Sequence, residues 1–311
     1  MTPDSNETEI DATDVPEDEI DRADERAPTA ITLETMLAEL RECTDTDFAK
    51  SKTDYQSYMV RAQLEIQNTG FHDRLVEIHE SLSEQFVARK IRAIESWSNG
   101  ESQFRIVAKP WESMLDKLYR INKEDNRVFS NPPIVPTIDE MAAGEKQGRH
   151  QRWITPENAH EVVDDLIRTK FVVPFVDGVV EVSEQITRAI NDHGLKRFKR
   201  YHAKDTGYHA RHYYVLLPVP GDDATPETTV ALEIKVLTKI QDQLGELTHI
   251  LYEKHRTGEI KLEHKRKVAW QLGTPDFLAT YLGHTGHFLE AAICDLKNEI
   301  LKLDGTPNGE S

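Results

Sequence analysis

The 311-residue chain has little cysteine, no long apolar run and a deficit of positive charge. Its two cysteines, Cys43 and Cys294, are too few for a disulfide framework or a cysteine zinc site and fit a reducing compartment. No stretch reaches the ~18 consecutive apolar residues of a membrane-spanning helix, so no membrane association is expected. The first residues are acidic where a secretory leader would be basic and then apolar. With no address in view, bacterial-type or archaeal-type cytoplasm is the expected place. There are 38 Lys and Arg against 55 Asp and Glu, a net charge of −17. That balance argues against a general nucleic-acid binder while leaving room for a local basic site. No internal repeat is visible.

What is present is enough apolar material, 38% of residues, for one large domain or a domain with helical additions. Charge and hydropathy divide it. Residues 1–26 hold eleven Asp and Glu against Arg22 and Arg26, with few apolar residues. The first 30 residues therefore read as a disordered, solubilising tail. Residues 31–100 read as helices: one starting at Thr32 as N-cap, one ending at Gly70 as C-cap, and one with Leu75, Ile78, Leu82, Phe86 and Ile91 on a stripe. Residues 101–255 mix both periodicities. Strands are expected at 103–109, at "TKFVVPFV", at "LKRFKRYH", at "RHYYVLLPV" and at "VALEIKVL". Helices are expected after Pro110, from Pro156 to about Leu166, over "EVSEQITRAINDHG" and from about Lys239. An irregular connection over 125–155 intervenes. Residues 256–311 read as a C-terminal helical extension. The fold class expected is α/β (α+β), a mixed sheet of about five strands flanked by helices, with helical additions at both ends.

Within "VALEIKVL", Val230, Leu232, Ile234 and Val236 share one face at the two-residue period of a strand. Glu233 and Lys235 then share the other. An edge strand wetted on one side would explain them; so would a site. Asp165, where an expected helix hands over to a strand, is either an ordinary helix-end residue or, with Glu233, part of an oxygen-ligand site for a hard cation. "LKRFKRYHAKDTGYHARHYYV" gathers Lys196, Arg197, Lys199, Arg200 and Lys204 with no acid among them, and Phe198 and Tyr201 interleaved. It is either a solvated face or a phosphate-binding one. Gly207 precedes Tyr208 in a tight turn that presents a ring either to pack or to stack on a base, and His212, four residues on, is by default a core or strand histidine. Lys109, Ser113 and Lys117 recur at four-residue steps across a helix start, where anions are favoured. "FHD" at 71–73 has the His-Asp dipeptide of metal phosphohydrolases without the further ligands, and "HTGHF" near 284 reads as helix and turn.

These pieces occur in an order that resembles the synthetase domain of the RelA/SpoT family, over roughly residues 100–255. "EIKVLT" followed by Glu246, His249, Tyr252 and Lys254 is similar to the family's Glu-Ile-Gln-Ile-Arg-Thr strand and following helix. Lys204, Thr206, Gly207, Tyr208 and His212 fall on its Asn-Gly-Tyr turn, Asp165 opens its Asp-x-x-Gly-x-Arg element, and Lys109, Ser113 and Lys117 match its Lys-x-x-x-Ser-x-x-x-Lys element. The resemblance implies a nucleotidyltransferase-like sheet and a pyrophosphokinase. Such an enzyme transfers the β,γ-pyrophosphate of ATP to the 3′-hydroxyl of a guanosine nucleotide with Mg²⁺, in guanosine tetraphosphate metabolism. It further implies that Glu233 and Asp165 are catalytic and hold the metal, and that Lys109, Ser113 and Lys117 cradle the ATP phosphates. Arg197, Lys204 and His212 would bind the acceptor side, and Tyr208 would stack on its base. Lys170 and Lys235 stand at further nucleotide-binding positions. Departures accompany it: Val107 and Lys170 replace two adenine-flanking arginines, Arg168 a glycine, Lys235 a glutamine and Leu237 an arginine. Lys cannot stack as a planar guanidinium does. A toxin-type member that pyrophosphorylates the tRNA 3′ end or an adenosine nucleotide is the alternative, favoured by the basic stretch at 196–204 and by "EHKRK" at 263–267. An antitoxin would be its partner. A non-catalytic nucleotide-binding module is the third reading, and the terminal helices are candidates for a homo-oligomer interface.

Overall fold

The computed structural model describes residues 32–88, 104–126, 128, 130–204, 207–221, 226–256 and 272–303. The acidic tail, Thr206 and the basic "EHKRK" stretch lie outside the described residues. So do the side chains of Leu82, Phe86 and Tyr252, and Ile91 altogether.

Three helices come first, α1 (Leu33–Thr44), α2 (Lys52–Gln67) and α3 (Gly70–Ala88). Thr32 caps α1 as expected, its hydroxyl accepting from the Thr35 N–H at 3.2 Å. Gly70 does not end α2: Asn68 does, and the Thr69 hydroxyl accepts the His72 N–H at 3.2 Å, so Gly70 is the first residue of α3. A threonine with a hydrogen-bonding side chain won the boundary over the glycine beside it. A two-residue strand β1 (Val107–Ala108) leads into α4 (Trp111–Tyr119), with Pro110 at its N-cap. The connection that follows is irregular apart from a π-turn at Arg120–Glu124 and the short α5 (Ile138–Ala142), which is closed by a Thr137–Glu140 capping box. The helix expected from Pro156 is absent. Asn158 accepts the Thr155 N–H and donates to the Trp153 carbonyl, and this local bonding leaves a single 3₁₀ turn at Ala159–Glu161.

β2 (Ile167–Val173), α6 (Val176–Asp192), β3 (Arg197–Ala203), β4 (His209–Val219), β5 (Thr228–Thr238), α7 (Lys239–Arg256) and α8 (Pro275–Leu303) complete the chain. The strands form one mixed sheet in the order β1-β2-β5-β4-β3; β2 and β5 run parallel and the other pairs antiparallel. β5 is thus the central strand. The edge-strand explanation of Glu233 and Lys235 fails on that point.

The two faces of the sheet differ in chemistry. Ile167, Phe171, Tyr213, Val215, Leu232, Ile234 and Val236 join α2, α3, α4 and α6 in one large hydrophobic cluster. Burying a side chain of this kind is worth about 1.5–3 kcal/mol. The other face is apolar at its ends: Phe198, Tyr214, Leu216 and Ala231 pack under Ile138 of α5 at one, and Leu237 and Ala210 are buried at the other. Between them the face carries Arg200, His212, Glu233, Lys235, Arg168 and Lys170.

Candidate active site

Register fixes which side chains meet on the polar face. Phe198, Tyr214, Glu233, Arg168 and Val107 form one cross-strand row; Arg200, His212, Lys235 and Lys170 form the next. Strand alternation puts both rows on the same side. A carboxylate in the middle strand is therefore ringed by groups from three strands.

Glu233 is buried, 4% exposed, which makes its partners decisive. Its Oε1 accepts from His212 Nδ1 at 2.9 Å and from the Tyr214 hydroxyl at 3.3 Å. A carboxylate can only accept, so His212 carries its proton on Nδ1, and Nε2 accepts the Tyr208 hydroxyl at 3.2 Å. Oε2 has no hydrogen-bond partner, with Lys235 Nζ 3.5 Å away. Burial opposes ionisation of Glu233, but the His212 hydrogen bond and the Lys235 charge outweigh it and bring the carboxyl below its ordinary range. Burial also lowers His212, so the pair is an ionised glutamate and a neutral histidine. His202 lies ring to ring with His212 at 4.0 Å, and burial, then His212, push it down to about 2.

A second network stands at the start of β2. Asp165 accepts from Lys109 Nζ at 2.6 Å and Lys117 Nζ at 2.8 Å; Lys117 also reaches Asp164 at 2.8 Å, and Arg200 reaches Asp164 at 2.6 Å. The guanidinium of Arg200 lies over the rings of Tyr214 and Phe198, which are themselves stacked at 4.6 Å. Burial would raise both aspartates, but the cations outweigh it and hold both carboxyls below their usual range. Burial lowers Lys109, whereas on Lys117 the two aspartates overcome burial and raise it. Tyr55 of α2 donates its hydroxyl to the Lys109 carbonyl at 2.7 Å, fixing the backbone there. The two networks are neighbours: the charge of Asp165 acts against ionisation of Glu233, and burial together with Asp164 and Glu233 raises the Tyr214 phenol that stands between them. No hydrogen bond joins Asp165 to Glu233 directly.

Of the residues singled out in the sequence, Asp165, Lys109, Lys117, Glu233, Lys235, His212 and Tyr208 converge here. Lys204 is exposed in the turn beyond β3, and its charge acts on His212. Lys170 shares the face but is bound by α7, its Nζ 2.6 Å from Asp242 and 3.5 Å from Glu246. Ser113 is exposed on α4. Arg197 is elsewhere: paired with Val215, it belongs to the opposite face and donates to Asn191 of α6 at 2.5 Å. Asp164, Tyr214 and His202 were not picked out, and Arg200 only as one of the basic stretch. The parity of β3 carried the signal for Arg200 and His202, since even-numbered residues of "RFKRYHA" align with His212 and Glu233.

Gly207 seats the tyrosine turn. Its φ is +78°, and an added Cβ would come within 2.6–2.9 Å of the backbone at Thr280, Gly283 and His284. Gly283 meets Gly207 reciprocally, so the turn lies backbone to backbone on α8. Gln241 of α7 ties the same point together, accepting the His209 N–H at 3.1 Å and donating to the Gly283 carbonyl at 3.3 Å.

No family model matches the chain, and no curated protein matches it either. Solved structures do. Small alarmone synthetase 1 from Bacillus subtilis, bound to its product pppGpp, is 16% identical with a TM-score of 0.42, over 73% of this chain and 95% of that one. A GTP pyrophosphokinase family protein from Streptococcus pneumoniae is 18% identical with a TM-score of 0.40, over 76% and 97%. Small alarmone synthetase 2 from Bacillus subtilis is 16% identical with a TM-score of 0.40, over 73% and 97%. Likeness at this level leaves the site to be read from its own residues.

Among the described residues no group of three His, Cys, Asp or Glu is placed to hold a metal, and no helix is long and apolar enough to cross a membrane. A magnesium ion does not need three protein ligands: it takes one or two carboxylates and fills its shell with water and substrate phosphate. The donors here are carboxylate oxygens, and the buried Oε2 of Glu233 stands without a hydrogen bond. The chemistry of Glu233 Oε2 fits a hard cation, whereas both oxygens of Asp165 are taken by Lys109 and Lys117.

Proposed function

We propose that the chain is an ATP-dependent pyrophosphokinase that moves the β,γ-pyrophosphate of ATP to the 3′-hydroxyl of a guanosine nucleotide. The observation that carries the reading is Glu233: an ionised, buried carboxylate on the central strand, one oxygen fixed by His212 and Tyr214, the other without a hydrogen bond and beside the Lys235 ammonium. Its neighbours are cations suited to phosphates, and the motif order resembles that of the RelA/SpoT synthetase domain. In this reading Glu233 Oε2 accepts the proton of the attacking hydroxyl. His212 and Tyr214 hold the carboxylate in place, and Tyr208, hydrogen-bonded to His212, stacks against the acceptor base. Lys109 and Lys117 face the triphosphate, with Ser113 one turn away on the outer side of α4. Lys235, Lys204 and Arg200 supply counter-charge on the acceptor side; Lys170 would leave Asp242 to join them. Bound magnesium would offset charge building up on the phosphate oxygens, held by Asp165 and Glu233.

The test is transfer of label. With γ-³²P-ATP and GDP, GTP, AMP or bulk tRNA, the expected product is labelled guanosine nucleotide, with AMP released from α-labelled ATP in equal amount. Label on tRNA or AMP selects the toxin-type reading, which the basic stretch at 196–204 favours. Label on none of them selects a binding module. Glu233→Gln should abolish turnover while leaving ATP binding by calorimetry within a few-fold of the parent. A turning-over Glu233→Gln protein refutes the role given to this side chain.

A further inference from the structure

α8 has two unlike faces. One is docked: Gly283, Glu290 and Cys294 are buried, Gln241 bonds the Gly283 carbonyl, and Lys297 pairs with Asp177 of α6. The opposite face is apolar and open. Leu278, Tyr281, Leu282, Phe288, Leu289 and Leu296 are 49–75% exposed, and Thr285 and Ala292 are exposed between them. From 277 to 294 the only Asp, Glu, Lys or Arg is the buried Glu290. The large side chains present roughly 600–700 Å², against the roughly 800 Å² per partner of a stable interface and the few hundred Å² at which patches on a monomer stop.

The pattern on this face is more specific than its apolarity. Positions 278, 282, 285, 289, 292 and 296 follow at steps of four, three, four, three and four, the seam of a coiled coil, and all six are exposed. That order of steps is the same read backwards. A second copy laid antiparallel therefore sets Leu278 against Leu296, Leu282 against Ala292 and Thr285 against Leu289, so each small residue meets a leucine. Laid parallel, Thr285 would face Thr285 and Ala292 would face Ala292, leaving two layers underfilled. The acidic N-terminal stretch and the segment just before α8 match the seam poorly. Residues 1–26 carry eleven acids, and residues 257–271 carry six charged residues. A self-complementary stripe calls for a two-fold partner.

The geometry points to α8 as a homodimerisation helix, two copies of this chain pairing antiparallel through Leu278, Leu282, Thr285, Leu289, Ala292 and Leu296. Because Gly283 lies against Gly207, such pairing also braces the helix on which the Tyr208 turn rests.

The full chain, run at micromolar concentration on gel filtration with light scattering, should be a dimer. Leu289→Glu, a change at an exposed position, should give a monomer with the parent's far-UV circular dichroism and a cooperative melt at a lower temperature, the dimer's contribution being lost. Leu278→Cys and Leu296→Cys proteins test orientation without relying on that variant's fold. Mixed under mild oxidation they should form disulfide-linked dimers several-fold faster than either protein alone, with the parent chain as control for Cys43 and Cys294. A monomeric parent, a dimer that survives Leu289→Glu, or self-linking of each cysteine protein as fast as cross-linking between them would each overturn the proposal. A monomer would show the stripe to be covered from within the chain or by another protein.

Discussion

Arg197 and Arg200 are carried by the same strand and point to opposite faces, and their surroundings set very different costs for losing them. Arg200 is inside the polar network, bonded to Asp164 and lying over two aromatic rings. Replacing it with Ala removes one of two cations from a buried carboxylate. Breaking such a pair leaves charge uncompensated, and with Lys117 still in place the loss should be about 2 kcal/mol. Arg197 is on the opposite face, bonded to Asn191 and away from the two buried aspartates, so Arg197→Ala should cost less than Arg200→Ala. Urea unfolding of the two variants side by side checks this. Equal losses would mean the Asp164 network contributes no more than a surface bond. The same contrast is expected in kcat/KM, reduced at least tenfold for Arg200→Ala and nearly unchanged for Arg197→Ala.

At the scale of elements, α8 carries a buried acid that the site does not use. Glu290 is fully buried on the docked face, near the end of β5, with His287 one turn before it and Lys297 two turns after. Burial raises its carboxyl from 4.5 to about 7. A raised folded-state value means that its stabilisation is complete below the unfolded value and is lost as pH rises through the folded one. At ~1.4 kcal/mol per unit, the change between pH 4.5 and 8 is about 3 kcal/mol. His209, stacked on His287 at 3.9 Å, works in the other direction: burial lowers it to about 4, so its contribution is lost as pH falls from 6.5 toward 4. Subtracting the two proteins isolates the glutamate. The melting temperature of Glu290→Gln minus that of the parent should rise from pH 5 to about pH 7 and level off by pH 8; a flat difference would show that Glu290 does not titrate in this range.

Elements were legible in the sequence where one period ran unbroken, as in β2, β4, β5, α7 and α8. Boundaries failed where a short side chain bonded its own backbone, at Thr69 and Asn158, because a pattern of apolar residues does not register such bonds. Of the site, the residues that lie close to a motif were readable: Asp165, Glu233, Lys109, Lys117, His212 and Tyr208. Arg197 was expected among them because it lies in the basic stretch, but the stretch is a strand and only alternate residues reach the site. Asp164 and Tyr214 were hidden for a different reason. Their role depends on two networks coming together across the sheet, and adjacency in the chain does not express that.

For the whole molecule, the question is whether the N-terminal helices are an addition or part of the fold. Met36, Leu40, Phe48, Tyr55, Met59, Ile66, Phe71, Leu75 and Ile78 lie in the same hydrophobic cluster as Phe171, Val215, Leu232 and Ile234. Polar ties cross the same boundary: Tyr55 to the Lys109 carbonyl, Tyr58 to Thr228, and Lys52 to Glu112. A sheet face this apolar has no stable existence in water without its cover. The described helices and sheet should therefore unfold together, in one transition whose midpoint is the same by tryptophan fluorescence and by far-UV circular dichroism. Deleting residues 1–88 should abolish that transition and yield a protein that binds a hydrophobic dye. Deleting residues 1–26, whose composition is that of a solvated tail, should leave the midpoint within about 2 °C, the shift of a change below about 1 kcal/mol for a chain of this size. A cooperative melt in the chain that begins at residue 89 would show that the sheet holds its own core, and that the helices before it are an accessory.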